Sequence, residues 1–344
     1  MMNNMRTIWK IILILIAVGL VLAILGLTLG ASRALYLDRA GVHISENEMT
    51  RITEHDLDPF RNINIDAGLI DVEFVSSGAY GIEISSDIVG LDWTLENDTL
   101  TVAYIRSSRV QIMNFDFNFR GRNYVRVFIP NDAEFDIVTV RTRSGDVKIG
   151  DLQARTFEVN STSGNIGVSN VSTDNLQVGS TSGNITGSII NATNFLLSTR
   201  SGDGRLQAIN AERFSAESTS GDLSITRGEL GTVNIAARSG NITANEIISK
   251  SANAQTTSGN IRLNGDFSGE SVIQARSGDV RVSTSRDRNY YSFGLTSRSG
   301  TIRLDGERLG SNFTSGLIQE NHINISTTSG NINVSFTGFT GFTG

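Results

Sequence analysis

Residues 157–170 read FEVNSTSGNIGVSN and residues 176–188 read LQVGSTSGNITGS, the same phrase restated one period later. Its invariant part, Ser-Gly followed by Asn, Asp or Thr, recurs at Gly145, Gly164, Gly183, Gly202, Gly221, Gly240, Gly259 and Gly278, each 19 residues after the last. Looser copies follow at Gly300 and Gly330. A fixed period of this size marks one supersecondary unit stacked on itself, because each unit buries its apolar face only against its neighbours.

The pattern inside the unit identifies the unit. Seven and five residues before the glycine stand apolar pairs such as Phe157 and Val159, Leu176 and Val178, or Val233 and Ile235. Two and four residues after it stand Val147 and Ile149, Ile166 and Val168, or Ile261 and Leu263. A spacing of two is strand spacing, and the three-and-four spacing of a helix is absent. Each unit therefore reads as strand, tight Ser-Gly-Asx turn, strand and return loop, the glycine supplying a positive φ at the corner. Stacked units give an all-β fold, a parallel β-solenoid with a rise of roughly 4.8 Å per coil.

Composition agrees with a single sheet-rich body. The 344 residues include 35 glycines, two prolines and no cysteine, and the net charge is -6. Without cysteine there are no disulfide staples, thiolate zinc sites or lipidated cysteine anchor. The acidic balance argues against a nucleic-acid partner, which requires a basic surface.

Ile11 to Ser32 carries no charge and follows Arg6, Trp9 and Lys10. This run is long enough to span a bilayer and exceeds the apolar core of a cleaved signal peptide. One N-terminal transmembrane helix is therefore expected, with the basic flank in the cytoplasm and the solenoid outside it. The expected organisation is a cytoplasmic N-terminus (1–10), an anchor (11–32), a linker (33–59), an irregular β-rich cap with early coils (60–140), regular repeats (141–335) and a Phe-Thr-Gly tail (336–344).

The run VRVFIPNDAEFDIVTVRTRSGDVKIGDL (125–152), followed by the two phrases quoted above, resembles the bacterial "putative adhesin" family of β-strand-repeat proteins, a domain of unknown function. The resemblance covers about residues 60 to 335. It implies a β-solenoid exposed at the cell envelope, often behind an N-terminal membrane segment, and it implies no reaction.

After each glycine stands a side-chain oxygen: Asp146, Asn165, Asn184, Asp203, Asp222, Asn241, Asn260, Asp279, Thr301 and Asn331. Calcium β-rolls use a Gly-Gly-x-Gly-x-Asp nonapeptide, which is absent here. Before each Ser-Gly stands Arg or Thr, and Arg143, Arg200 and Arg276 accompany Asp146, Asp203 and Asp279, with Asp222 and Arg238 on adjacent coils. The column is expected to be a charge-balanced structural ladder, with no metal and no cofactor. His43, His55 and His322 flank no nucleophile and acid, and Glu212, Glu217, Glu229, Glu246 and Glu270 are scattered.

Two segments break the repeat and are the candidate partner-binding sites. In one, Phe115, Phe117 and Phe119 alternate beside Arg120 and Arg122. In the other, the stretch between Gly278 and Gly300 exceeds the period by three residues and carries Arg286, Arg288, Tyr290 and Tyr291. Insertions in solenoids emerge as loops, and aromatic rings beside arginines suit sugars or anionic polymers. The expectation is a non-catalytic envelope-binding, adhesin-like or structural protein whose partner is an envelope polysaccharide or another envelope protein. A carbohydrate-active enzyme on a β-helix scaffold and an envelope-stress regulatory component are the alternatives.

Overall fold

The computed structural model describes residues 15–19, 21, 33–38, 41–46, 50–86, 91–104, 110–115, 123–315 and 320–336. Nearly all the strands join one sheet, most of it parallel. From Val147 onward the ladder advances by the sequence period: Val147 pairs with Ile166, Ile166 with Ile185, Ile185 with Gly204 and Gly204 with Leu223. Phe157, Val159, Ile166, Val168, Leu176 and Val178 are all buried, so the residues two apart in the repeat form the core. Rungs spaced by a strand separation of about 4.8 Å make a rod on the order of 50 Å long.

The return of each rung differs from the loop expected. Val147–Ser161, Ile166–Ser180, Ile185–Thr199 and Gly204–Ser218 are continuous strands, and pairing is interrupted only at single corner residues such as Asp151 and Arg155. The first corner is left-handed. Asp151, Asn170, Ile189, Ala208, Arg227 and Glu246, each 19 residues apart, have φ between 50° and 60° (54°, 51°, 54°, 55°, 60° and 56° in order). None is glycine, so the sequence gives no cue to this corner. A β-branched residue is the most strained there, and Ile189 is also 55% exposed, so little packing offsets the strain. Replacing Ile189 by Asn is expected to stabilise the fold by about 1 kcal/mol. The new amide would extend the hydrogen bond that Asn170 Nδ2 donates to Asp151 Oδ1. Equilibrium urea unfolding measures the gain; an unchanged or lowered midpoint would refute the strain.

The turn glycines also work differently from expectation. Among the ten, only Gly278 has a positive φ, at 154°, close to extended backbone. Their requirement is close approach: a Cβ on Gly164, Gly183, Gly202, Gly221, Gly240, Gly259 or Gly278 would run into the carbonyl oxygen of the glycine one rung before.

The rungs do not stack wholly in chain order. A Cβ on Gly330 would meet the Gly278 carbonyl, and one on Gly300 would meet that of Gly330. Accordingly His322–Ser329 and Ile332–Phe336 lie between Glu270–Ser277 and Val280–Thr284 on one side and Ser292–Ser299 and Ile302–Leu304 on the other. The last described strands thus form the penultimate rung. The outer rung is then covered by short antiparallel strands, Glu307–Leu309 and Asn312–Thr314, the first through a turn at Asp305 and Gly306.

The N-terminal end shows the same exchange. Asn62–Gly68 and Asp71–Ser77 lie next to the Gly145 rung, while Thr99–Tyr104 and Tyr124–Pro130 lie outside them. Antiparallel strands Gly81–Ser86, Thr50–His55 and Leu91–Glu96 close that edge, which removes a template for pairing with other chains. Buried Glu83 ties this cap together, accepting hydrogen bonds from Arg51, from Tyr124 at 2.8 Å and from Arg126 at 3.4 Å. Burial pushes its carboxyl up, but these donors outweigh burial and hold it below the ordinary range. Arg33–Asp38, Gly41–Glu46 and Val110–Phe115 form a separate antiparallel sheet.

Of the uncharged N-terminal run, residues 15–19 are helical and the greater part lies outside the described residues. Among the described residues no helix is long and apolar enough to cross a membrane.

Candidate binding face

The Asx column is a hydrogen-bonded ladder. Asp146 Oδ1 accepts the backbone N–H of Asn165 at 2.7 Å, Asn165 Oδ1 that of Asn184 at 3.0 Å, and Asn184 Oδ1 that of Asp203 at 2.9 Å. The series continues through Asp222, Asn241, Asn260 and Asp279. It then follows the exchanged rung order, Asp279 Oδ1 accepting from Asn331 and Asn331 Oδ1 from Thr301. Asp71, which the period did not include, begins it by accepting from Asp146. One oxygen of each residue is thus spent on holding the next rung. Among the described residues no three His, Asp or Glu side chains gather as ligands.

A second column was not recognised from sequence. Three residues before most of the turn glycines stands a buried hydroxyl, replaced by alanine at Ala237 and Ala275, and Ser161, Ser180, Thr199 and Ser218 accept the glycine N–H at 2.8, 2.8, 3.0 and 2.8 Å. The recurring Ser or Thr at this offset was the available signal.

The expected charge pairing between arginine and aspartate is not formed. Among the described residues no ion pair joins Arg143 to Asp146, Arg200 to Asp203, Arg276 to Asp279 or Arg238 to Asp222. Asp203 instead pairs with Arg205 at 2.7 Å, two residues further along the same rung. The Asp side chain is turned along the rod by its ladder bond, and the arginine two residues before the glycine faces the other side of the turn.

The insertion between Gly278 and Gly300 is less open than a loop. Tyr291 belongs to the core at 3% exposure, which corrects its expected place in an exposed patch. Its hydroxyl hydrogen-bonds Thr284 at 2.7 Å, its ring lies 6.0 Å from Phe293, and burial pushes the hydroxyl's pKa up. Arg286 donates to Asp266 at 2.8 Å and lies 5.0 Å from the Tyr290 ring centre. Arg288 and Tyr290 lie in a single 3-10 turn, with Arg288 3.8 Å from Glu307. Of the other candidate segment, Phe115 ends a strand, while Phe117, Phe119, Arg120 and Arg122 lie outside the described residues.

Glu212, Glu217, Glu229, Glu246 and Glu270 occupy five different positions of the repeat, so stacking sets none directly above another. His322 Nδ1 lies 2.8 Å from the Ser292 hydroxyl in a neighbouring strand. A trough of about 870 Å3 runs along the turn side of the rod, lined by Arg200, Arg238, Arg276, Glu217, Gln255 and neighbouring hydroxyl residues.

A family model described as Toastrack DUF4097 matches residues 60–195 and, a second time, residues 180–335. Among solved structures, a "putative adhesin" from Bacteroides fragilis is 13% identical, covering 84% of this chain and 98% of its own, with a TM-score of 0.35. One from Parabacteroides distasonis is 11% identical, covering 83% and 97%, with a TM-score of 0.38. A putative cell adhesion protein from Clostridium sporogenes is 8% identical, covering 84% and 100%, with a TM-score of 0.20. No curated protein matches the chain.

Proposed function

This chain belongs to the Toastrack DUF4097 family, and from that premise we propose that it is a membrane-tethered, non-catalytic binding protein whose rod stands outside the cytoplasm and contacts an envelope polymer. The observation that carries this reading is the use of the polar columns. The Asx oxygens are committed to holding rung to rung and the buried hydroxyls to closing the turn within each rung, while the turn side presents an extended, repeating polar face. A surface that repeats along an axis suits a ligand that repeats along an axis. The tether rests on the uncharged run Ile11 to Ser32 behind Arg6 and Lys10.

The test is topology and cargo together. The full chain should sediment with membranes, and protease added outside the cytoplasmic membrane should digest the rungs. The same protein in detergent should retain soluble envelope polysaccharide. A rod protected from external protease would overturn the location, and a soluble, N-terminally trimmed product would overturn the tether.

A further inference from the structure

The residue two before each turn glycine forms a column on the turn side, and its order in space differs from its order in the chain. Register places Arg200 beside Thr219, Thr219 beside Arg238, Arg238 beside Thr257 and Thr257 beside Arg276. Chain order would next set Arg298 against Arg276. The exchanged rung intervenes instead, so that Thr328 follows Arg276 and Arg298 follows Thr328. The result is arginine on every second rung: Arg200, Arg238, Arg276, Arg298. Successive guanidinium groups are thus set about 9.5 Å apart, twice the strand separation. All four are exposed. Among the described residues none of the four has an ion-pair partner, in a chain whose net charge is -6.

We propose that this row is a binding site for a linear anionic polysaccharide lying along the rod, with one carboxylate or sulfate for every two sugar rings. This rests on the envelope-binding reading above and names its site and ligand class. The first three arginines line the 870 Å3 trough, and Arg298 continues the row beyond it. A guanidinium presents a planar fork that matches a carboxylate or sulfate with two parallel hydrogen bonds. Between the arginines, Thr219, Thr257 and Thr328 offer hydroxyls that both donate and accept, as sugar hydroxyls require, and Gln255 and Gln274 lie in the same trough. The interval of two rungs is close to the length of an extended disaccharide. A single-stranded nucleic acid is disfavoured because its sites stack bases on aromatic rings, and no aromatic residue lines the trough. A peptide strand adds to an open sheet edge, whereas this is a lateral face whose backbone groups pair from rung to rung. Glu217 is the one acid in the trough, between the rungs of Arg200 and Arg238.

The test uses the full chain in detergent, isothermal titration calorimetry and hyaluronan oligosaccharides, which carry one carboxylate per disaccharide. Affinity should rise at least tenfold from two carboxylates to four, level off beyond four, and fall with added salt. Arg238→Thr should weaken the four-carboxylate oligosaccharide at least tenfold, and Arg200→Thr, Arg238→Thr and Arg276→Thr together should abolish binding. The melting midpoint should hold in both variants, since threonine is the native residue on the alternate rungs. Glu217→Gln should strengthen binding. Equal affinity for neutral dextran, undiminished affinity in the triple variant, or tighter binding of inorganic polyphosphate would overturn the assignment. Equal affinity per length for polygalacturonate, charged on every ring, would overturn the two-ring spacing. If Arg288→Ala with Tyr290→Ala abolishes binding while the triple variant does not, the row is refuted and envelope binding stands. If external protease spares the rungs while the arginine dependence holds, the location fails and the row stands.

Discussion

Replacing Gly221 by valine should destabilise the rod by about 3 kcal/mol or more, enough to split its melting into separate transitions on either side of that rung. The added Cβ would be driven into the Gly202 carbonyl, 2.6 Å from its carbon and inside contact distance of its oxygen. Those are backbone atoms, and Gly202 is itself packed on the Gly183 carbonyl in the same way, so relief requires the whole column to move. Overpacking in a rigid interior typically costs about 1–3 kcal/mol, and this contact is with backbone held from both sides. Alanine should be nearly as damaging, because the Cβ alone makes the contact. Gly78, whose Cβ would meet nothing within 4 Å, is the control and should accept alanine with little change. Circular dichroism melting of the full chain reads the effect. If Gly221→Ala melts like the unmodified protein, the close approach is not what the glycine is for.

That contrast marks the limit of what the sequence makes legible. The period, the strand spacing and the turn residues are visible because each rung repeats the same buried pattern, as Val147, Ile166 and Ile185 do in one column. The reason for the glycine is not visible, since positive φ and backbone contact both select glycine. The left-handed corner is hidden more completely. Asp151, Ala208 and Arg227 share a conformation but no side-chain chemistry. Asp151 and Asn170 suit it and Ile189 does not, so composition at that position carries no consensus.

Rung order was hidden for a geometric reason. A parallel pair at an offset of 19 leaves a period, whereas the pairing of Asp279 with Asn331 spans 52 residues and that of Thr301 with Asn331 spans 30. The only trace is the breakdown of spacing after Gly278. The same exchange sets the spacing of the arginine row, because chain order alone puts Arg276 and Arg298 on adjacent rungs, where like charges one strand apart repel. The Tyr291 correction has a similar origin. Its neighbours Arg286, Arg288 and Tyr290 are polar or amphipathic, and only the packing of its ring near Phe293 shows that it faces inward.

Ending the chain after Ser315 should unfold the last rungs while leaving those around Gly164 to Gly240 intact, and a synthetic peptide of residues 321–336 should restore them. The removed segment is internal to the stack although it follows every other described strand in the chain. Ile323, Ile325, Ile332 and Val334 are each at most 1% exposed, and burial of four such side chains contributes roughly 6–12 kcal/mol before the cost of ordering the strands. Its loss also strips one face from each neighbouring rung, so Ser292–Ser299 loses its parallel partner and Glu270–Ser277 one of its two. The backbone groups left unpaired on the Gly278 rung set the register for the returning segment, whose Gly330 turn packs on the Gly278 carbonyl and in turn receives Gly300. A peptide with that turn should therefore bind in parallel register, whereas one in which Gly330 is replaced by valine should not. Hydrogen exchange across residues 270–304 reports the outcome: protection lost on truncation, regained with the native peptide and not with the valine peptide. Protection that survives truncation would show that the outer rung closes directly onto the Gly278 rung, and the interposed position of the C-terminal strands would then be dispensable.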